Sequence, residues 1–194
     1  MSKDPPLTPP TPLTYRRIGA LLHETGLVSA EKTHSVLGDA VTYADDELDH
    51  AGAAGALVEF GAAVAVHGDD IDSIHEDYAG LLAEAAEIAG GQVTITDVRI
   101  DEGEGGYEGG RNDNLEFKRN GVLVSLMATH FAEDYYDHET ACRGIAATAH
   151  DDDPRSWRNV EFAKDPDSTY DSIMVLATPA QADALHEHLG FTLY

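Results

Sequence analysis

Positive charge is what this chain most lacks. It has 12 Lys or Arg against 36 Asp or Glu, a formal net charge of −24, and between Thr33 and Val98 no Lys or Arg occurs at all. That 66-residue stretch carries 14 carboxylates and therefore −14 of the total. A field of this sign argues against nucleic acid as a ligand, because phosphates meet the same repulsion as the carboxylates. Cysteine is equally scarce. Cys142 stands alone, which excludes an internal disulfide and fits a reducing compartment. No apolar run approaches the roughly 20 residues of a membrane span, and the Pro-rich, polar N-terminus lacks the apolar core of a signal peptide. A cytoplasmic protein without membrane contact is the expectation. Four Lys against eight Arg fits a GC-rich genome as well as a halophile.

Catalytic motifs are missing too. No GxSxG, HExxH, CxxC or EF-hand spacing occurs, and Asp151-Asp152-Asp153 lacks the spaced ligands and glycine of a calcium loop. Gly103 to Gly110 has the glycines of a phosphate loop without its Lys, Ser or Thr. The neighbourhood of Cys142 is apolar and helical, which reads as a buried structural thiol. His130, Asp134 and His138 are spaced by four, so one helix would align them for a divalent metal. Phe131, however, reads as the end of a strand, which takes His130 off that helix. No catalytic residue, metal site or cofactor is predicted.

The carboxylates have three possible uses. Crowded without counterions, they weaken the compact state and attract a basic partner. High salt would screen the repulsion to a few ångströms and make the same surface tolerable. Alternatively they only maintain solubility.

At 194 residues the chain can bury about 70% of its unfolded surface in one domain. Residues 1–13 are Pro-rich and read as an extended arm, leaving 14–194 as the domain. Helices are predicted from Tyr15, where Ile18, Leu21 and Leu22 share a face, and from Ser29. Thr42 to Gly55 reads as loop or weak helix. Val58, Phe60, Ala62, Val64 and Val66 alternate, predicting a strand from Leu57 to His67. A helix capped by Asp69 or Asp70 then carries Ile71, Ile74, Tyr78, Leu81, Leu82, Ala85 and Ile88 along one stripe and stops at Gly90. Val93 to Ile100 is strand-like.

Asn120-Gly121 between two alternating runs signals a two-residue hairpin, which pairs Arg119 with Val122, Phe117 with Val124 and Leu115 with Leu126. Glu133 to Thr148 is predicted helical, with Tyr135, Cys142, Ile145 and Ala149 along one side. Trp157 to Phe162 reads as a strand or an ordered loop, and Ser172 to Ala177 as a strand. Thr178-Pro179-Ala180-Gln181 reads as a capping box with proline at the first helical position, and Gly190 stops that helix. Strands and helices mix without regular βαβ repetition, so the predicted class is α+β on an antiparallel or mixed sheet.

Acid and aromatic residues coincide in Glu133, Asp134, Tyr136 and Asp137, and again in Asp151, Asp152, Asp153 and Trp157. Rigid aromatics anchor protein interfaces, while carboxylates around them steer a basic partner into place. These eight residues are the predicted partner-binding set. The order of features over Asn114 to Tyr136 and Asp152 to Phe191 resembles immunity proteins of bacterial polymorphic or contact-dependent toxin systems. The strand Leu115-Glu116-Phe117-Lys118-Arg119-Asn120-Gly121 is followed by the acidic aromatic segment and Asp152-Asp153-Pro154-Arg155. Asp171-Ser172-Ile173-Met174-Val175-Leu176-Ala177-Thr178-Pro179 then leads to Gln181 and Gly190-Phe191. The resemblance implies a non-enzymatic inhibitor that occludes its cognate toxin, a basic nuclease, an NAD-degrading enzyme or another type. The competing expectation is a salt-adapted cytosolic enzyme using scattered residues such as His130 and Asp134.

Overall fold

Every helix in the computed structural model, which describes residues 11–67, 71–162 and 170–194, starts where a short polar side chain reaches back to the backbone. Thr14, Ser29, Asp49, Ser73, Asp137 and Thr178 are the N-caps of α1 (Tyr15–Glu24), α2 (Ala30–Asp39), α3 (His50–Glu59), α4 (Ile74–Ile88), α5 (His138–Ala146) and α6 (Pro179–Leu189). Each cap satisfies an otherwise orphaned first-turn N–H, worth about 1 kcal/mol. The capping box at Thr178 and Gln181 forms as predicted, and Gly190 closes α6 in the left-handed conformation at φ 78°. The fold is α+β.

Seven strands make two antiparallel sheets among the described residues. In the first, β1 (Ala63–His67), β6 (Tyr170–Ala177), β5 (Ser156–Glu161) and β7 (Thr192–Leu193) lie in that order. In the second, β2 (Ile95–Asp101), β3 (Arg111–Arg119) and β4 (Val122–His130) form a meander with β4 at one edge. Side-chain alternation divides the core. Ala63, Ile173, Val175 and Ala177 of the four-stranded sheet pack against α1, α2, α3 and α6. Val64, Val66 and Met174 point the other way, onto α4, α5 and the inner face of the three-stranded sheet. The layers therefore run helix, sheet, helix, sheet.

Two element boundaries differ from expectation. The predicted strand over residues 57–67 begins only at Ala63, because Leu57 to Glu59 complete α3 and Gly61 turns the chain at φ 72°. Ala53, Ala54, Ala56 and Leu57 of α3 are all buried, so the helix is apolar nearly all round and leaves no helical period to read. β1 is likewise covered on both faces, with Ala63 to Val66 all buried, so the alternation read across residues 58–66 is one of residue size and not of burial. The helix expected over 133–148 is shorter: Asp137 caps it by accepting from Thr140 N at 2.9 Å, and Tyr135 is 44% exposed. The cap of α4 is Ser73, and Asp69 and Asp70 lie outside the described residues.

The hairpin has the predicted register, with Arg119, Phe117 and Leu115 opposite Val122, Val124 and Leu126. Asn120 (φ 52°) and Gly121 (φ 80°) both take the positive φ of a type I′ turn. Asn120 also ties the turn to the neighbouring strand, accepting from Thr94 N at 2.9 Å. Of the predicted arm, residues 1–10 are outside the described set, and Leu13 forms a β-bridge with Leu48.

Candidate partner-binding groove

The eight predicted site residues are placed at two poles of the hairpin. Asp137 binds the C-terminal end of β4: its Oδ2 accepts from Thr129 N at 2.7 Å while Oδ1 caps α5. Asp151 binds the opposite end, accepting from Arg119 Nη2 at 2.7 Å. Thr129 and Val122, the partner of Arg119, are seven residues apart on β4, so the two poles are separated by about 23 Å. No continuous eight-residue patch exists.

Several of these groups also have structural work. Asp153 holds Arg155 through 2.7 and 3.0 Å contacts, and that guanidinium keeps its carboxyl below the usual range. Trp157 is half-buried, and its Nε1 donates to Thr148 Oγ1 at 3.1 Å. Tyr136 meets Tyr78 edge to face at 4.7 Å between ring centroids. Glu133 lends its carbonyl to Ile74 N at the start of α4. Asp134 and Asp152 are exposed, with no ion pair among the described residues.

The histidines do not converge on a metal geometry. His130 is buried on β4, with Nδ1 2.7 Å from Asp113 Oδ2 and Nε2 3.1 Å from Tyr78 Oη. Asp134 lies in an exposed loop, and His138 turns its Nε2 to Ser172 Oγ at 2.9 Å. Cys142 Sγ sits 3.6 Å from the same hydroxyl, and burial raises its thiol pKa. A raised pKa leaves it a thiol near neutrality rather than an activated thiolate. Among the described residues no group of three His, Cys, Asp or Glu is disposed to hold a metal ion.

Sequence reading missed the buried network around Asp113. This carboxylate is fully buried and accepts from Arg111 Nε at 2.7 Å, Arg111 Nη2 at 3.1 Å and Gly103 N at 2.8 Å, besides its contact with His130. Burial alone would raise its pKa; hydrogen bonds from Arg111, Gly103 and His130 outweigh that and hold it below the ordinary carboxylate value. The chain continues through Tyr78 Oη, which accepts from Asp137 N at 3.1 Å. Its Asp-His-Tyr order is reminiscent of a relay, yet both imidazole nitrogens are engaged internally and neither faces solvent. It pins the three-stranded sheet to α4 and α5. The signal available in sequence was an acid and a base, Arg111 and Asp113, on the inward side of a strand whose other inward residues are apolar.

A different set of carboxylates borders open space. Asp77, Gly80, Glu84 and Glu87 follow one another at helical spacing along α4. Beside this stripe lie two grooves of about 440 Å³ each, which share Val58 and Glu84. Ala65, Leu81 and Tyr136 line one and Val28, Phe60 and Ile88 the other, giving an apolar floor under an acidic rim. Asp72 and Asp77 stand at one end and Lys32 at the other. Burial, then the charges of Asp77 and Glu84, push the Tyr136 phenol far above its ordinary pKa, so it remains a neutral hydrogen-bond donor at any physiological pH. Tyr136 is the one predicted anchor that this groove includes.

No family model, curated protein or solved structure matches the chain. No helix among the described residues is long and apolar enough to cross a membrane.

Proposed function

We propose that this chain is a cytoplasmic, non-enzymatic immunity protein that binds and blocks a basic toxin domain. The observation that carries the reading is the uncompensated acid beside an apolar-floored groove. Asp72 and Glu87 line the grooves, and they and Asp39, Asp46, Glu47 and Glu76 elsewhere on the same segment make no ion pair among the described residues. Such a field accelerates encounter with a cationic protein, and apolar floor residues supply the desolvated contacts that slow its dissociation. The hairpin and the capped α6, which carry the resemblance to immunity proteins, act in this reading as the scaffold behind the binding face.

The test is kinetic. The protein is assayed by surface plasmon resonance against the polypeptide encoded next to it, with Asp72→Asn/Glu84→Gln/Glu87→Gln compared with Asp134→Asn/Asp152→Asn. Loss of on-rate and of its salt dependence in the triple variant alone assigns the groove as the binding face. The opposite pattern moves the interface to the hairpin poles. Absence of binding by the unmodified protein overturns the inhibitor reading.

A further inference from the structure

From Gly121 to Ala132 this strongly acidic chain has no Asp, Glu, Lys or Arg, and that segment contains β4, an edge strand. Exposed edges are ordinarily guarded by charge, proline or a bulge, because their free backbone groups recruit other strands. In a two-residue hairpin the closing pair, Arg119 and Val122, is hydrogen-bonded, and alternation then turns Val122, Val124, Leu126, Ala128 and His130 toward β3. The backbones of Leu123, Ser125, Met127 and Thr129 face the free edge. α5 covers two of these: Thr140 Oγ1 donates to Met127 O at 2.7 Å, and Asp137 Oδ2 accepts from Thr129 N. The N–H and C=O groups of Leu123 and Ser125 have no partner among the described residues. Around them Val122, Leu123 and Met127 are 68%, 59% and 68% exposed.

We propose that two copies of the chain pair antiparallel through this edge about a two-fold axis at Val124, joining their three-stranded sheets into one of six strands. The occupant is a second copy because the edge is complementary to itself. Leu123 and Ser125 of one copy then exchange hydrogen bonds with Ser125 and Leu123 of the other. Val122 faces Leu126 of the second copy, Val124 faces its own equivalent, and Leu123 meets Met127 diagonally on the outer face. Apart from Ser125 each of these contacts is apolar. A cationic strand has no corresponding attraction here, since the nearest charged groups are matched within the chain: Lys118 with Asp97, Arg99 with Glu116 and Arg119 with Asp151. The two-fold axis stands perpendicular to the joined sheet, so both acidic α4 helices lie on its one face, but each packs over β2, the strand farthest from the seam. The separation of several strand spacings exceeds the roughly 8 Å over which salt screens charge. α5 ends the pairing beyond Leu126. This inference does not rest on the inhibitor reading.

Sedimentation velocity from about 10 to about 500 μM protein in moderate salt tests it through mass action. The expected result is a monomer–dimer equilibrium. Ser125→Pro removes only an outward N–H, and Leu123→Lys adds an edge charge; each should raise the dimer dissociation constant at least about tenfold. Thermal melts establish that the variants are folded, and if Ser125→Pro is not, Leu123→Lys decides alone. A monomer throughout the range, or a dimer unaffected by the folded variants, overturns the proposal.

Discussion

The three-stranded sheet and the helical segment from α2 to α4 handle charge in opposite ways. On β2 and β3 each basic side chain has a carboxylate partner: Arg99 with Glu116, Lys118 with Asp97, Arg119 with Asp151 and Arg111 with Asp113. From Thr33 to the end of α4 the chain has no Lys or Arg to offer. Asp45 and Glu59 reach Arg16 and the Tyr15 hydroxyl on α1, Asp49 and Asp77 serve helix starts, and exposed acids such as Glu47, Asp72 and Glu87 make no ion pair among the described residues. Like charges opposite one another on adjacent strands repel at close range. An isolated acid on a helix needs no partner, and in the first turn the macrodipole favours it. The difference teaches that net charge alone does not locate function. The paired acids hold the sheet together, and those without bases form the exposed acidic surface on which the proposed function rests.

The largest effect should come from breaking the one ion pair of the sheet that is buried. Asp113→Ala leaves the Arg111 guanidinium, 8% exposed, with only the half-exposed Glu102 carboxylate at 3.3 Å to compensate it, a loss of up to about 3–5 kcal/mol. Urea denaturation should show a much lower midpoint or an unfolded variant. The pH dependence has a definite sign. Since the folded-state pKa of Asp113 is lowered, its stabilisation is fully present above the unfolded carboxylate pKa, near 4, and disappears as pH falls through the folded value. Acid titration of the unmodified protein should therefore lose stability below about pH 4 more steeply than Asp113→Asn, which has no carboxylate at this position to protonate.

Next is the turn. Gly121→Val places a β-branched residue at φ 80°, which costs about 1–3 kcal/mol. Hydrogen exchange over residues 115–127 should accelerate, while the central sheet stays protected as long as the fold survives. Unchanged exchange there would show that the hairpin does not depend on the left-handed turn.

Salt should separate the two regions more gently. Raising ionic strength to about 1 M shortens the screening length to roughly 3 Å, which relieves repulsion among the α2–α4 acids while weakening exposed pairs such as Arg16 with Asp45. Unpaired acids outnumber pairs, so the melting temperature should rise. A fall would mean that surface ion pairs outweigh self-repulsion.

These contrasts were only partly legible in sequence. The hairpin, α4 and α6 announce themselves through local chemistry: Asn120-Gly121, the Ile74–Ile88 stripe and the Thr178 box each act within a few residues of their own position. β1 lies within the predicted strand, but the end of α3 was misread as strand because Val58, Phe60 and Ala62 continue the spacing of Val64 and Val66 across the turn at Gly61. The groove was legible only in pieces. Tyr136 was singled out, but Val58 and Ala65 reach it from α3 and β1, and nothing in local spacing records that approach. The Asp113 network is similarly non-local, joining the Gly103 loop, β3, β4 and α4.

The smallest prediction is also the most direct comparison of the two regions, because it reverses sign between them. Asp97 has positive φ of 54°, pairs with Lys118 at 2.8 Å and has a carboxyl pKa lowered mainly by that hydrogen bond. Asn tolerates the same backbone conformation, so Asp97→Asn removes the charge without adding strain and should destabilise slightly, as loss of an exposed ion pair does. Glu47, exposed between α2 and α3, has no ion pair among the described residues and sits near Asp45, Asp46 and Asp49. Glu47→Gln removes only repulsion and should stabilise slightly. Both differences should shrink in about 1 M salt. If paired denaturation curves at low salt give both substitutions the same sign, the contrast between a compensated sheet and an uncompensated helical surface does not describe how this protein is stabilised.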